Sequence, residues 1–178
     1  SRTIDRKTYY NYPRAYKMID ELPPQAVIFS DGGPGCRWVG NEKGFAGATN
    51  WSFLRAGEVY PGYPNYRELQ YGHADGNQWV AAECDVSIRP GWFYHPEEDG
   101  RVKTVDELTD LYYRSVGHNA TLLLNFPVDR DGLIHPTDSA NAVNFHKNIQ
   151  KQLEKNLLAG LSPKASDERG KAFSAKAV

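Results

Sequence analysis

Apolar runs that alternate with helical segments most constrain how this chain can fold. Residues 26–30 and 121–126 are almost continuously apolar, and each is bounded by residues typical of turns. Such runs indicate strands that are buried on both faces. A third strand is predicted at 79–88, where the side chains alternate in character. Strands separated by helices along a chain form parallel sheets with helices packed on them, so the sequence predicts an α/β fold.

Three segments carry the signals of helices. Residues 12–21 have helical periodicity and are followed by two prolines, which stop a helix. Thr104 and Glu107 have the spacing of a capping box, in which two side chains satisfy the first backbone amides of a helix. That helix is predicted to end at Gly117, and residues 138–158 are predicted as a long final helix.

Two stretches lack regular periodicity. Residues 31–78 connect the first two strands and are rich in glycine, proline and aromatic residues. Long irregular connections inside a compact domain are usually functional loops or lids. Residues 161–178 are also irregular and are predicted to be a linker that could open a following β-sandwich domain. Residues 1–160 are therefore predicted to form one folded unit.

Composition and charge argue against several classes of protein. The 178 residues are 40% apolar, which is enough for a hydrophobic core. The formal net charge is -1 and the basic residues are scattered, so a nucleic-acid surface is not expected. No apolar run approaches the roughly 18 residues of a membrane-spanning helix. The sequence contains no paired zinc-binding histidines, phosphate loop or dinucleotide fingerprint, so neither a metal nor another cofactor is expected.

Two short patterns resemble metal or disulfide sites without completing them. Residues 129–132 resemble the start of a calcium-binding loop, but no glutamate follows at the required spacing, so a plain turn is predicted. Cys36 and Cys84 lack the spacing of metal ligands. The sequence leaves open whether they form a disulfide or remain thiols.

The predicted strand at 79–88 places two carboxylates among apolar residues. Its side chains alternate between two faces, one of which is small and apolar. The other face carries Trp79, Ala81, Glu83 and Asp85. Burying a carboxylate costs several kcal/mol unless it is paired or used, so Glu83 and Asp85 are candidate functional groups. In parallel sheets functional groups gather at the carboxyl ends of strands, where Asp31 and Asn125 are also predicted to lie.

A turn with an arginine and three consecutive aromatic residues follows this strand. Arg89 precedes Pro90 and Gly91, and the aromatic residues begin at Trp92. Aromatic rings beside carboxylates are typical of sugar sites, so the segment predicts a carbohydrate ligand. Alternatively, Arg89 or Arg37 could neutralise one strand acid in a structural ion pair.

A glycine-rich loop after the first strand carries a second group of polar side chains, which includes Arg37, Trp38 and Glu42. Glycines allow a ligand to approach the backbone closely, and an arginine can bind hydroxyl or carboxylate groups. Glu42 could act as a proton donor. The alternative is a solvated turn with an ordinary surface glutamate.

Four blocks of this sequence together resemble the α-L-fucosidases of glycoside hydrolase family 29. The blocks are AVIFSDGGPGCRWVGNE at 26–42, AECDVSIRPGWFYH at 82–95, LYYRSVGHNATLLLNFPVDRDGLI at 111–134, and the final helix. They follow the order found in the family and cover most of residues 12–158. The RWVGNE and SIRPGWFYH sequences are most similar to those of the family branch that prefers α-1,3- and α-1,4-linked fucose on branched oligosaccharides.

The resemblance implies a (β/α)8-like TIM barrel and hydrolysis of terminal fucose with retention of configuration. Three strands cannot close such a barrel, which needs roughly 250 residues, so the chain is expected to be its C-terminal part. In the retaining mechanism an aspartate attacks the anomeric carbon, and a second carboxyl group acts as acid and then base. The family's nucleophile lies in a Trp-Phe-Asp-Gly motif, which this sequence lacks. It is therefore expected upstream of Ser1, in the rest of the same catalytic domain.

The resemblance also implies roles for individual side chains. Glu42, in the Gly-Asn-Glu motif, is expected to be the acid/base, and Glu83 is the competing candidate. Arg37 is expected to hold fucose or to orient the nucleophile. Trp79 and Trp92 are expected to pack against the apolar face of the sugar. The full set of expected substrate-binding residues is Arg37, Trp38, Trp79, Glu83, Asp85, Arg89 and Trp92.

Two alternatives to an active fucosidase stay open at this point. The chain could belong to a non-catalytic carbohydrate-binding protein with a fucosidase-like barrel, or it could be an inactive fragment. The resemblance implies a periplasmic or secreted protein that acts on fucosylated oligosaccharides or glycoconjugates. It implies no cofactor.

Overall fold

A four-stranded parallel sheet forms the centre of the fold in this computed structural model, which describes residues 4–22, 26–39, 41–170 and 174–175. The strands are β1 (Phe29–Ser30), β2 (Cys36–Trp38), β3 (Phe53–Leu54), β4 (Gln78–Trp79), β5 (Ala81–Ser87) and β6 (Ala120–Asn125). The central sheet has the order β1, β2, β5, β6, and each neighbouring pair is parallel. β3 and β4 form a separate antiparallel pair. The predicted α/β fold with a parallel sheet is confirmed.

The described residues form five α-helices, of which the second, fourth and fifth correspond to predicted helices, whereas the first and third were not predicted. They are α1 (Arg6–Tyr9), α2 (Tyr12–Asp20), α3 (Tyr66–Tyr71), α4 (Val105–Ser115) and α5 (Pro136–Leu153), with 3₁₀ turns at Pro96–Arg101 and Val116–His118. The predicted capping box is formed, because Thr104 and Glu107 satisfy each other's backbone amides at the start of α4. The two prolines expected to stop α2 lie outside the described residues. Among the helices described, none is long and apolar enough to cross a bilayer.

The small apolar face of β5 forms the core, as predicted. Val86 packs with Leu108 and Leu111 of α4. Ala82 and Cys84, on the same face of β5, belong to a second buried cluster. The opposite face of β5 is consequently free to carry polar groups, because neighbouring residues of a strand point to opposite sides.

The segment 31–78 was expected to lack regular elements, but it contains β2, β3, α3 and the first residue of β4. β2 has three residues and β3 has two, which is too short to produce an apolar period in the sequence. Leu54, Leu69 and Val80 form a small core of their own here. The segment is therefore a packed insertion, which we call the β3–β4 insertion (residues 49–80).

Several predicted boundaries shift. The first strand is shorter than the predicted 26–30, and Trp79 belongs to β4 because it pairs with Phe53 of β3. α5 begins earlier than predicted, at Pro136, since a proline fits the first turn of a helix, where its missing N–H is not needed. Residues 154–170 contain neither helix nor strand. The linker at 161–178 stays a prediction.

Candidate active site

Glu83 and Asp85 lie on the polar face of β5, and both are half-buried. Thr121 and Leu123 of β6 lie beside them in the parallel register. Leu123 is 50% exposed although it stands on a strand of the central sheet. The two carboxylates therefore occupy an open face of the sheet, which we call the open face, and not the packed core.

Burial and nearby charges shift both carboxyl groups in the same direction. Loss of solvent raises the pKa of Glu83, and the negative charge of Asp85 raises it further. Loss of solvent also raises the pKa of Asp85, the Trp38 indole partly offsets this by donating to Oδ1 at 2.7 Å, and the charge of Glu42 adds to the rise. Carboxyl groups perturbed in this way by burial and by one another are candidates for a functional site.

Glu42 reaches this site through a hydrogen bond from Trp92. Its side chain is exposed on a loop, and the Trp92 Nε1 donates to its Oε2 at 2.9 Å. The charge of Glu42 also contributes to the raised pKa of Asp85. The structure thus brings together five of the predicted residues, which are Trp38, Glu42, Glu83, Asp85 and Trp92.

Arg37 points away from the open face. It alternates with Trp38 along β2, so its side chain projects to the opposite side, where it is fully buried. Its guanidinium donates to the carbonyl oxygens of Leu69, Val80 and Trp51 and to Oδ1 of Asn50. Burial lowers the pKa of Arg37 to about 10. An enclosed guanidinium cannot contact a sugar in this arrangement, so the geometry favours a structural role in which Arg37 joins the β3–β4 insertion to the sheet.

Arg89 is the centre of a buried charge cluster. Two of its nitrogens donate to the Asp138 carboxylate at 2.8 and 2.9 Å, and a third donates to Asp99 at 2.9 Å. The Arg89 and Asp138 side chains are fully buried, and the guanidinium lies 4.7 Å from the centre of the Tyr94 ring. The alternative in which an arginine neutralises a strand acid is therefore wrong for Arg89. The position of Arg89 favours a structural role, in which it anchors the turn, and not a role in contacting substrate.

Asp138 was missed as a functional residue at the level of sequence. Its place in the first turn of α5 is a local signal, because acidic residues are favourable there. Its partner Arg89 is 49 residues away, and no local pattern indicates that pairing.

Trp79 and Asp31 lie apart from the carboxylate cluster. Trp79 is 61% exposed and packs edge-to-face on Phe53, with ring centres 5.6 Å apart, near the amino end of β5. Asp31 accepts a hydrogen bond from the Gly62 amide of the β3–β4 insertion. Both residues are held by the insertion, which the sequence did not reveal as a structured unit.

Asn125 joins β6 to the turn that carries Trp92. Its Nδ2 donates to the Trp92 carbonyl at 3.0 Å and to Ser87 Oγ at 3.1 Å. Its own carbonyl accepts from the Ile88 amide at 3.0 Å. Asn125 thus lies at the carboxyl edge of the sheet, as predicted, and contacts the aromatic turn directly.

The two cysteines are free thiols, which settles the question that the sequence left open. Both are buried, and burial raises the pKa of Cys84 to about 12, so its reactive thiolate form is disfavoured. In the part of the chain that the structure describes, no three histidine, cysteine or acidic side chains are grouped so that they could hold a metal ion.

The chain is similar in sequence to known proteins over part of their length. The chain is 40% identical over 166 residues to alpha-L-fucosidase 1 of Arabidopsis thaliana, and the match covers 90% of the chain and 31% of that protein. A comparison with models of protein families finds no match. The chain therefore spans about a third of the length of the curated relative it matches.

Two solved structures share the fold. A glycoside hydrolase 29 family member from an unknown rumen bacterium superposes with a TM-score of 0.83 at 45% identity, over 94% of this chain and 30% of that one. A GH29 fucosidase of Ruminococcus gnavus in complex with fucose superposes with a TM-score of 0.70 at 31% identity, over 83% of this chain and 31% of that one.

The chain is therefore similar, over about a third of their length, to proteins named as α-L-fucosidases and to a member of glycoside hydrolase family 29. This similarity agrees with the resemblance of the four sequence blocks to that family.

Proposed function

We propose that this chain supplies the acid/base side of the active site of a retaining exo-α-L-fucosidase. Its substrate is a fucosylated oligosaccharide or glycoconjugate from which terminal α-1,3- or α-1,4-linked L-fucose is removed. The observation that carries this proposal is the hydrogen bond from Trp92 to Glu42, whose charge also raises the pKa of Asp85 on the open face. It is supported by the similarity to a fucosidase solved in complex with fucose. The proposed linkage preference rests on the amino-acid sequences of the RWVGNE and SIRPGWFYH motifs.

The proposed mechanism has two displacements. A carboxylate nucleophile attacks the anomeric carbon while protonated Glu42 gives its proton to the departing glycosidic oxygen. Glu42, now ionised, takes a proton from water, and the resulting hydroxide displaces the nucleophile to release fucose. The exposed loop position of Glu42 suits this role, because a donor must approach the glycosidic oxygen from outside the sugar ring. The Trp92 N–H fixes which way the carboxyl group points.

Glu83 is the competing acid/base. Its raised pKa favours the protonated form that a donor needs. However, it is half-buried on the strand, and its Oε2 lies 3.9 Å from the Cys36 sulfur. A rigid, inward position suits a group that accepts hydrogen bonds from sugar hydroxyls. We therefore assign Glu83 and Asp85 to substrate binding, with Trp38 and Trp92 as aromatic walls.

The nucleophile is proposed to come from another part of the same catalytic domain. The sequence lacks the family's Trp-Phe-Asp-Gly motif, and the chain matches about a third of its relatives. In this proposal residues 1–160 form the C-terminal part of a (β/α)8-like barrel, and residues 161–178 form a linker. A periplasmic or secreted location is part of the same proposal, and fractionation of cells that express the full-length protein tests it.

The acid/base assignment is tested by comparing Glu42→Ala with Glu83→Ala in the full-length protein. An acid/base variant should lose about 100-fold or more in kcat on a fucosylated oligosaccharide and much less on a nitrophenyl α-L-fucoside, whose leaving group needs little protonation. Azide should rescue it, because azide attacks the fucosyl enzyme without a general base. Glu42→Ala is expected to show this pattern and Glu83→Ala to lose both activities. Normal hydrolysis of oligosaccharides by Glu42→Ala contradicts the assignment.

A carbohydrate-binding protein without catalysis is the second candidate, because the Trp38 and Trp92 rings beside carboxylates suit sugar binding as well as hydrolysis. Calorimetric titration of the full-length protein with L-fucose, followed by analysis for free fucose after incubation with a fucosylated oligosaccharide, separates the two. Binding without release supports the second candidate.

A further inference from the structure

We propose that Asn125 is a positioning residue for the proton donor, and that it acts through Trp92. This inference rests on the proposed function, because it takes Glu42 as the acid/base. Asn125 itself touches neither the reacting atoms nor the Glu42 carboxylate in this geometry. It holds the backbone of the residue whose side chain orients that carboxylate.

The Glu42 carboxylate needs an external partner to have a fixed direction. The side chain is exposed, and its residue lies in a loop without helix or strand. Among the described residues, the hydrogen bond that it receives is the one from Trp92 Nε1, at 2.9 Å. Trp92 suits this task because an indole is rigid and has a single N–H donor. Where that indole lies therefore decides where the proton donor points.

Trp92 in turn is held by Asn125. The residue stands in the turn after β5, next to Pro90 and Gly91, where no sheet pairing holds it. Asn125 Nδ2 donates to its carbonyl oxygen at 3.0 Å. Asn125 itself is held in place by β6, where it pairs with Ser87 of β5. The Ser87 Oγ also accepts a hydrogen bond from the Asn125 Nδ2.

The entrance of the turn has a different anchor. Arg89, at the start of the turn, is held by Asp138 and Asp99 in the buried charge cluster. That cluster fixes residue 89 and, through the Tyr94 ring and the His95 carbonyl, also the far end of the turn. The Asn125 amide fixes residue 92, which lies between these two points. Loss of the amide should thus leave the turn folded and let Trp92 pivot. A catalytic group misplaced by about 1 Å can lose about 100-fold in rate, so this small displacement is measurable.

The test compares Asn125→Ala and Trp92→Phe in the full-length protein on two substrates. One is a fucosylated oligosaccharide, whose departing oxygen must be protonated, and the other is 2,4-dinitrophenyl α-L-fucoside, whose departing oxygen need not be. Asn125→Ala is expected to lower kcat on the oligosaccharide about 10- to 100-fold and to leave KM there within about threefold. The dinitrophenyl rate, measured with azide so that the second step needs no general base, should also stay within about threefold. Trp92→Phe keeps an aromatic ring without the N–H and should show the same loss in kcat.

Asn141→Ala is the matched control. Asn141 is also a half-buried asparagine whose Nδ2 donates to a backbone carbonyl, that of Lys103, at 2.9 Å. It lies on α5, and its described side-chain hydrogen bond goes to Lys103 and not to the turn. Its removal should lower the thermal midpoint about as much as Asn125→Ala and leave the ratio of the two activities unchanged. Should Asn125→Ala fail to fold, Asn125→Asp removes the N–H donors at nearly constant shape.

Glu42→Ala provides the reference. If it separates the two substrates and Asn125→Ala or its Asp substitute does not, the inference is overturned while the proposed function stands. If Glu42→Ala does not separate them, both are overturned. In the Glu42→Ala background, Asn125→Ala should cause no further selective loss on the oligosaccharide, because two residues that act through one carboxylate are not additive. A further loss there of 10-fold or more also overturns the inference.

Discussion

Two indole N–H groups each hold a carboxylate oxygen at the site, Trp38 on Asp85 at 2.7 Å and Trp92 on Glu42 at 2.9 Å. An indole can donate but not accept, so each contact fixes the direction of a carboxylate oxygen, and the contact from Trp38 also lowers the pKa of Asp85. Residue type alone indicates an aromatic surface for a sugar. The contacts add a second role for both tryptophans, which is to orient the acids.

A pH-dependent stability follows from the raised pKa of Glu83. Between the unfolded-state pKa of about 4.3 and the higher folded-state value, the folded protein binds more protons than the unfolded chain, so stability falls as pH rises through this window. Glu83→Gln should remove this penalty. Its thermal midpoint relative to the wild type is expected to be lowest at about pH 4 and to increase toward neutral pH, as followed by circular dichroism.

Glu107→Gln is the control with the opposite sign. Hydrogen bonds from the backbone and the hydroxyl of Thr104 lower the pKa of Glu107, so its contribution to stability is present above the unfolded-state pKa and is lost as pH falls. The Glu107→Gln midpoint relative to the wild type should therefore decrease toward neutral pH. Parallel trends for both variants would contradict the reasoning for Glu83.

At the scale of elements, β5 and the turn after it join the carboxylates of the open face to the buried charge cluster around Arg89. β5 places one set of side chains in the core and Glu83 and Asp85 on the open face. Arg89 then joins the turn to the start of α5 through Asp138, and Asn125 joins it to β6. The turn is thus held by the next strand and by the last helix, although neither is its neighbour in sequence.

The Arg89 to Asp138 pair should dominate the stability of this region. Asp138→Ala leaves a buried guanidinium without its bidentate partner, and we expect the free energy of unfolding to fall by about 3–5 kcal/mol. Denaturant unfolding of the variant and the wild type measures this. Asp110→Ala is the control, because it removes an exposed pair with Arg114 on α4 and should cost less than about 1 kcal/mol. Equal losses for the two variants would contradict the expectation.

At the scale of the whole molecule, the open face leaves large apolar side chains exposed. Phe29 and Leu123 are 49% and 50% exposed on this face, and Leu123 lies beside Asp85 in the register of the sheet. A large apolar side chain left half-exposed on a central sheet usually marks a surface that contacts another unit. This agrees with the proposal that further strands of the same domain bring the nucleophile to this face.

The 178-residue chain by itself is expected to hydrolyse nothing. A retaining site needs two carboxyl groups about 5 Å apart on either side of the glycosidic bond, and the proposed nucleophile is not among these residues. Incubation of the chain with a nitrophenyl α-L-fucoside checks this, with the full-length protein as the positive control. Release of nitrophenol by the chain would show that one of its own carboxylates is the nucleophile.

Much of the fold could be predicted because its signals are local. Alternation along β5 and the capping box at Thr104 depend on residues within a few positions of each other, and both are confirmed. β2 was not predicted, since three residues carry no period. That omission had a chemical consequence. Without β2, nothing indicated that Arg37 and Trp38 point to opposite faces.

The sequence by itself determined the parallel α/β arrangement and, through its motifs, the resemblance to fucosidases. It did so because hydrophobic periodicity, helix caps and motifs each depend on residues that are close together in the sequence. Only the tertiary structure decided which side chains meet. Glu42 and Trp92 are 50 residues apart, and Arg89 and Asp138 are 49 apart. Such contacts depend on how strands and turns are placed in space. They show that Arg37, an expected ligand, is buried away from the open face, and that Asn125, predicted at the edge of the sheet, contacts the aromatic turn.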